Sequence, residues 1–158
     1  MLSQDLRKLL IAQIGNELGA HQLYMAISIW FQRESLDGWG TLFRHQAIEE
    51  AQHAQKIMDF LTDNEIEFDL PALKATSTRF ATASAAAKRA LESERTVAEQ
   101  FDRMAAVARE HDDHRGHQFL QWFIEEQVEE EAKLQKIVDL IDSGINLFQA
   151  EALLGSFE

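Results

Sequence analysis

Apolar residues along this chain return at steps of three and four over long stretches, the period of amphipathic helix rather than the alternation of a strand. A few breakers divide the pattern. The spacing predicts helix A from about Ser3, a good N-cap type, to about Glu34, with Ser35-Leu-Asp-Gly38 as the turn. Helix B is predicted from about Trp39 to Asn64 and helix C from about Thr82 to Glu110. Helix D starts at Asp112 or Asp113 and stops near Ser143, with Gly144 placed as a helix-ending residue. A short fifth helix follows, capped by Asn146 with Gln149 three residues on and stopped by Gly155. At about nine residues it cannot hold alone in water, so it must dock on its own bundle or on a neighbouring subunit.

Connection lengths set the topology. A to B and C to D are joined by a few residues, so each pair is an antiparallel hairpin. Glu65 to Ala81, holding the only proline, Pro71, joins B to C. Extended, that segment reaches ~55 Å, whereas a helix of ~26 residues is ~39 Å long. Helix C can therefore start at the same end as helix B. The expected fold class is all-α: a four-helix bundle with one long B–C crossover and a short fifth C-terminal helix, with residues 1–158 as a single domain. Ile66, Phe68 and Leu70 alternate with acidic residues in the crossover, as in a half-buried extended segment.

Composition narrows the chemistry. The chain has no cysteine, which excludes disulfides, thiolate metal sites and cysteine nucleophiles. Its 27 acidic residues against 15 basic ones give a formal charge of −12, which argues against a nucleic-acid partner and for cations. No apolar run approaches the ~20 residues of a membrane span. The start, Met1-Leu-Ser-Gln-Asp, lacks the basic and apolar regions of a signal peptide, so a cytoplasmic location is expected.

The core stripes carry the candidate chemistry. Helix A gives Leu6, Leu10, Gln13, Glu17, Ala20, Tyr24, Ile27 and Phe31; helix B gives Phe43, Ala47, Glu50, His53, Ile57 and Phe60. Helix C gives Ala87, Leu91, Glu94, Ala98, Phe101 and Ala105; helix D gives Leu120, Phe123, Gln127, Glu130, Leu134, Ile137 and Ile141. Each stripe is interrupted midway by a glutamate, and counting residues from the turns brings all four to about one level of the core. Burying one unpaired carboxylate costs several kcal/mol, and four together exceed the ~5–15 kcal/mol net stability of a domain. No lysine or arginine lies in the stripes. Two divalent cations would balance four carboxylates, and oxygen ligands with a single imidazole suit iron or manganese. Glu50-x-x-His53 is half of the dinuclear carboxylate signature of helical bundles. In the other half the histidine is replaced, giving Gln127-x-x-Glu130.

With Glu17, Tyr24, Glu50, His53, Glu94, Gln127 and Glu130 at these helix positions, the chain resembles the bacterial non-haem ferritins over its full length. The resemblance implies a ferritin-like bundle in which Glu17, Glu50 and His53 hold a first iron and Glu50 bridges. It implies that Glu94 and Glu130 hold a second iron, while Gln127 orients oxygen or a water. It further implies ferroxidase activity, Fe(II) oxidised by oxygen or hydrogen peroxide, and self-assembly to a homo-24-mer shell with ferric mineral inside. Tyr24 reads both as a core tyrosine bonded to a buried carboxylate and as an electron donor during oxygen reduction.

Five glutamates crowd into Glu125 to Glu131. They read either as a solvated acidic face or, with Glu49, as a third iron position built from Glu49, Glu126, Glu129 and Glu130, which related bacterial ferritins have. His21, His45, His111, His114 and His117 read as surface residues, and Trp122 as core packing. Eukaryotic ferritins place carboxylates at threefold pores where His117 and Leu120 align here, so that pore route is not implied. Gln52 stands before His53 where bacterioferritins carry a haem-binding methionine, so no haem is expected. Three other readings compete. A rubrerythrin-type di-iron peroxidase or oxidase normally carries a second Glu-x-x-His, and a DNA-protecting mini-ferritin builds its site between subunits. A metal-free interaction bundle must bear the cost of four buried glutamates.

Overall fold

The computed structural model describes residues 1–157. Four long helices form the bundle: α1 (Gln4–Arg33), α2 (Asp37–Asp63), α3 (Ala83–Glu110) and α4 (His114–Asp142). A single turn, α5 (Leu147–Ala150), runs on into a 3-10 helix (Glu151–Phe157). The helix starts follow side-chain caps read from the sequence. Ser3 accepts from the Leu6 N–H, Thr82 from Ala85, Asp113 from Gly116, and Asn146 from Phe148 and Gln149. Gly144 adopts φ of 82°, the left-handed conformation that ends α4. Helix α2 has no local cap. The Glu151 carboxylate, far along the chain, instead accepts the Gly38 N–H at 2.9 Å, an anion at the positive end of a helix.

The crossover spans the length of the bundle along α1. Pro71 lies against Gly15, Thr76 reaches Gln22, and the Thr78 hydroxyl accepts from Arg33 at 3.0 Å. Ascending crossover residues thus meet ascending α1 residues, so α3 begins at the end where α2 began. Ile66 and Phe68 pack on the core, but Leu70 is 64% exposed, so the predicted alternation holds for only part of the segment.

The predicted stripes are buried with two shifts. Val97 rather than Ala98 carries the α3 stripe past Glu94, and Leu61 rather than Phe60 ends that of α2. At about 100° per residue, steps of three and four both return to the same face, so either neighbour fits the pattern and packing decides between them. The short C-terminal segment docks on its own bundle. Ala150 and Leu154 are buried, and the Trp39 indole N–H donates to the Leu147 carbonyl at 2.9 Å. It is not one continuous α-helix: after a single α turn it continues as a 3-10 helix, a geometry common at helix ends.

The apolar interior falls into two clusters. One holds Ile27, Phe31, Trp39, Phe43, Ala87, Leu91, Leu134 and Ile137. The other holds Leu6, Leu10, Ile57, Leu61, Phe101, Met104, Leu120 and Phe123. The level between them is where the four glutamates lie. No helix among the described residues is long and apolar enough to cross a membrane.

Candidate metal centre

Each helix sends one carboxylate into this dividing level. Glu17, Glu50, Glu94 and Glu130 are all buried, as are His53 and Gln127. They form two overlapping sets, Glu17/Glu50/His53 and Glu50/Glu94/Glu130, and within each set one ligand atom per residue lies within 4.8 Å of the others. Ligands about 2 Å from one ion lie at most about 4 Å apart, so each set is near the span of a single cation and Glu50 is common to both.

The first set is left unsatisfied by protein. His53 Nδ1 stands 3.4 Å from Glu50 Oε2 and 3.8 Å from Glu17 Oε2. All three atoms are buried and none has a hydrogen-bond partner. Buried polar atoms are normally paired, so three converging orphans of this chemistry fit a cation better than they fit one another. The opposite oxygen of Glu17 accepts from the Gln13 amide at 3.3 Å. The His53 ring is clamped edge-on by Trp122 and Phe123, at centroid distances of 5.5 and 6.0 Å. Trp122 is thus partly exposed above the histidine, with Lys56 Nζ 3.8 Å over its ring.

The second set is braced. The Tyr24 hydroxyl donates to Glu94 Oε1 at 2.5 Å, and Gln127 Nε2 donates to Glu94 Oε2 at 3.0 Å and to its carbonyl at 3.1 Å. With its nitrogen fully engaged, Gln127 keeps a buried Oε1 without a partner. Glu130 Oε2 accepts a close hydrogen bond from Gln46 Nε2, whose oxygen in turn accepts from Lys133 Nζ at 3.0 Å. Gln46 and Lys133 were not singled out from the sequence. Lys133 lies outside the α4 stripe but three residues past Glu130, and its long stem brings the ammonium back to the site. That spacing, and the placement of Gln46 one turn before Glu50, were the available signals.

Protonation follows from burial. Burial pushes Glu50 up to about 7, with Glu17 adding repulsion against the pull of His53. Burial and the Glu50 charge push Glu94 to about 8. Burial and Glu94 push Glu130 to about 8, against the opposing pull of Lys133. Burial works to lower His53, but the carboxylates of Glu17 and Glu50 outweigh it and raise it to about 11. Burial also raises the Tyr24 hydroxyl well above its ordinary value. Without a metal the centre therefore stores protons in place of cations.

The remaining predicted residues lie around the centre. Glu49 and Glu126 are half-buried and line a cleft between α2 and α4 that reaches His53 and Trp122; Glu129 is exposed. Among the described residues these three do not form a further ligand set of that span. His21 Nδ1 sits 2.7 Å from the Ala47 carbonyl, and His111 pairs with Asp5 at 3.1 Å. His45 and His114 are exposed and His117 is half-buried, while Leu120 lies wholly in the core.

Known proteins share this fold. A family model described as a ferritin-like domain matches residues 7–143. The ferritin BfrB of Mycolicibacterium smegmatis is 41% identical over 140 residues, covering 88% of this chain and 77% of the relative. The bacterial non-heme ferritin of Staphylococcus aureus is 32% identical over 160 residues, covering 99% and 96%. An open-pore ferritin from the hyperthermophilic archaeon Archaeoglobus fulgidus superposes with a TM-score of 0.93 at 28% identity, over 98% of both chains. The bundle, its crossover and a match running through all four long helices place this chain in the ferritin family.

Proposed function

We propose that this protein oxidises Fe(II) at the centre of the bundle and stores the ferric product as mineral inside a shell of twenty-four copies. Each copy contributes one ferritin-like domain, residues 1–158. The observation that carries this reading is the convergence of Glu17 Oε2, Glu50 Oε2 and His53 Nδ1, all buried and unpartnered. Glu17, Glu50 and His53 hold one Fe(II), Glu50 bridges, and Glu94 and Glu130 hold the other. Each Fe(II) gives one electron. Oxygen takes the pair with two protons to leave hydrogen peroxide, or hydrogen peroxide takes it with two protons to leave two waters. The four carboxylates offset the charge that iron gains. Gln127 offers its free Oε1 to a donor on the oxidant or a water. Tyr24 braces Glu94; an electron it supplies stands in for one of the pair, its hydroxyl proton goes to the oxidant, and the Fe(II) thereby spared reduces the tyrosyl radical back. Glu49, Glu126 and Glu129, with Glu130 shared, take a third iron on its way to the mineral. No haem is required, and the working location is the cytoplasm.

Electron microscopy of protein loaded aerobically with Fe(II) tests the reading. Hollow particles with dense cores are expected. Particles that stay empty, or protein that oxidises no iron and forms no shell, would refute it.

A further inference from the structure

Gln46 has no place among the expected ligands, yet it is 3% exposed and touches two of them. Its Nε2 donates to Glu130 Oε2 across the bundle and to Glu50 Oε1 at 3.4 Å one turn along α2. Its Oε1 accepts from Lys133 Nζ at 3.0 Å. A lysine ammonium can only donate, so it accepts one sense of the Gln46 amide alone: oxygen toward Lys133, nitrogen toward the two carboxylates. Gln46 therefore occupies one oxygen of Glu50 and one of Glu130, fixing how each carboxylate presents its other oxygen. Glu50 Oε2 is the free atom that meets His53 and Glu17.

The arrangement is lopsided. The Glu17 and His53 side of the centre has no link to Lys133, its only amide support being Gln13. Glu50, common to both positions, takes only the long 3.4 Å bond from Gln46, whereas Glu130, which belongs to the second position alone, takes the close one. We propose that Gln46 and Lys133 are positioning residues that set the affinity of the second metal position, Glu50/Glu94/Glu130, separately from the first. Lys133 anchors the Gln46 carbonyl, which would otherwise be a buried acceptor with nothing to accept. Groups beyond the ligands of a metal site commonly change its affinity ten- to a hundredfold.

This rests on the two-metal reading above, and the experiment separates the two. Anaerobic Co(II) titration of the assembled protein, read by calorimetry and by the visible absorption of bound Co(II), should give two bundle sites per chain, distinct from the third position at Glu49, Glu126 and Glu129. In Lys133→Met the second site should weaken at least tenfold and the first should stay within twofold. Gln46→Leu should do the same, while Lys133→Arg, still a donor-only cation, should keep both sites near parental affinity. A second site that tightens in Lys133→Met would mean the ammonium acts by simple repulsion of the metal, and would overturn the proposal. So would equal weakening of both sites, or no change in either variant. A parent protein that binds fewer than two Co(II) per chain would instead remove the two-metal reading itself, and this proposal with it.

Discussion

Loading the metal-free protein with Fe(II) in the absence of oxygen should expel protons in a number fixed by the site. At pH 7, Glu94 and Glu130, both at about 8, are largely protonated; Glu50, at about 7, is half protonated; His53, at about 11, holds its proton. Metal ligation requires all four to be bare. Together they should release about three protons per chain at pH 7, about four at pH 5.5 and about one at pH 9. An exposed acidic cluster would release almost none at pH 7, since ordinary glutamates near 4.3 are already ionised. The assay is an anaerobic titration with two Fe(II) per chain in weak buffer, followed by a pH-stat. Oxygen must be excluded because ferric hydrolysis liberates protons of its own. A yield below one proton per chain at pH 7, or one that grows between pH 5.5 and pH 9, would refute the buried, proton-storing centre.

The same groups set the pH dependence of stability. Their folded pKa values are raised, so the contribution of Glu94 and Glu130 is full below about 4.3 and is lost as pH climbs through about 8, and that of His53 is full below about 6.5 and is lost toward about 11. The melting temperature of metal-free protein should therefore fall from pH 6 to pH 9, and a flat or rising profile would contradict the assignment. Replacing His53 with alanine should slow Fe(II) oxidation at least tenfold in stopped flow, with the particle size on gel filtration unchanged; joint loss of assembly would make the residue structural. Iron-soaked crystals should show anomalous density beside Glu49, Glu126 and Glu129, and only two peaks per chain at saturating iron would exclude the third position. A Cβ on Gly116 would sit 2.3 Å from Leu6 Cδ2 in the core. Gly116→Ala should therefore cost about 1–3 kcal/mol by overpacking, whereas Gly19→Ala, with nothing within 4 Å, should melt no lower than the parent.

Much of the centre was legible because helical spacing is rigid. Glu17, Glu50, Glu94 and Glu130 each replace an apolar residue in an otherwise apolar stripe, and a periodic pattern makes such an exception visible. The crossover was equally readable, since the reach of seventeen residues decides which end α3 starts from. What escaped depended on side-chain length and distant parts of the chain. Lys133 lies off the stripe and returns to the site only through its flexible stem. The carboxylate at the start of α2 comes from Glu151, more than a hundred residues away, where no local pattern announces it. The C-terminal segment reads from the sequence as ordinary helix, and its passage into 3-10 geometry is of a kind common at helix ends. Ala98 and Phe60 each stand one position from the buried residue, because steps of three and four fit the period equally and only packing chooses between them.

The separation of the apolar interior into two halves has an engineering consequence. Either end can be refilled with bulkier or smaller oily side chains to alter heat tolerance, while the waist keeps its chemistry. Exchanging the four waist acids together with the buried groups that bond to them, His53, Gln13, Gln46, Gln127 and Tyr24, for apolar side chains would weld both halves into one uninterrupted interior. Such replacements of enclosed ionic groups are often neutral or favourable by about 1–4 kcal/mol. The product would be a sturdier scaffold without the proposed metal centre, which makes the acids a concession of robustness to the chemistry proposed for them.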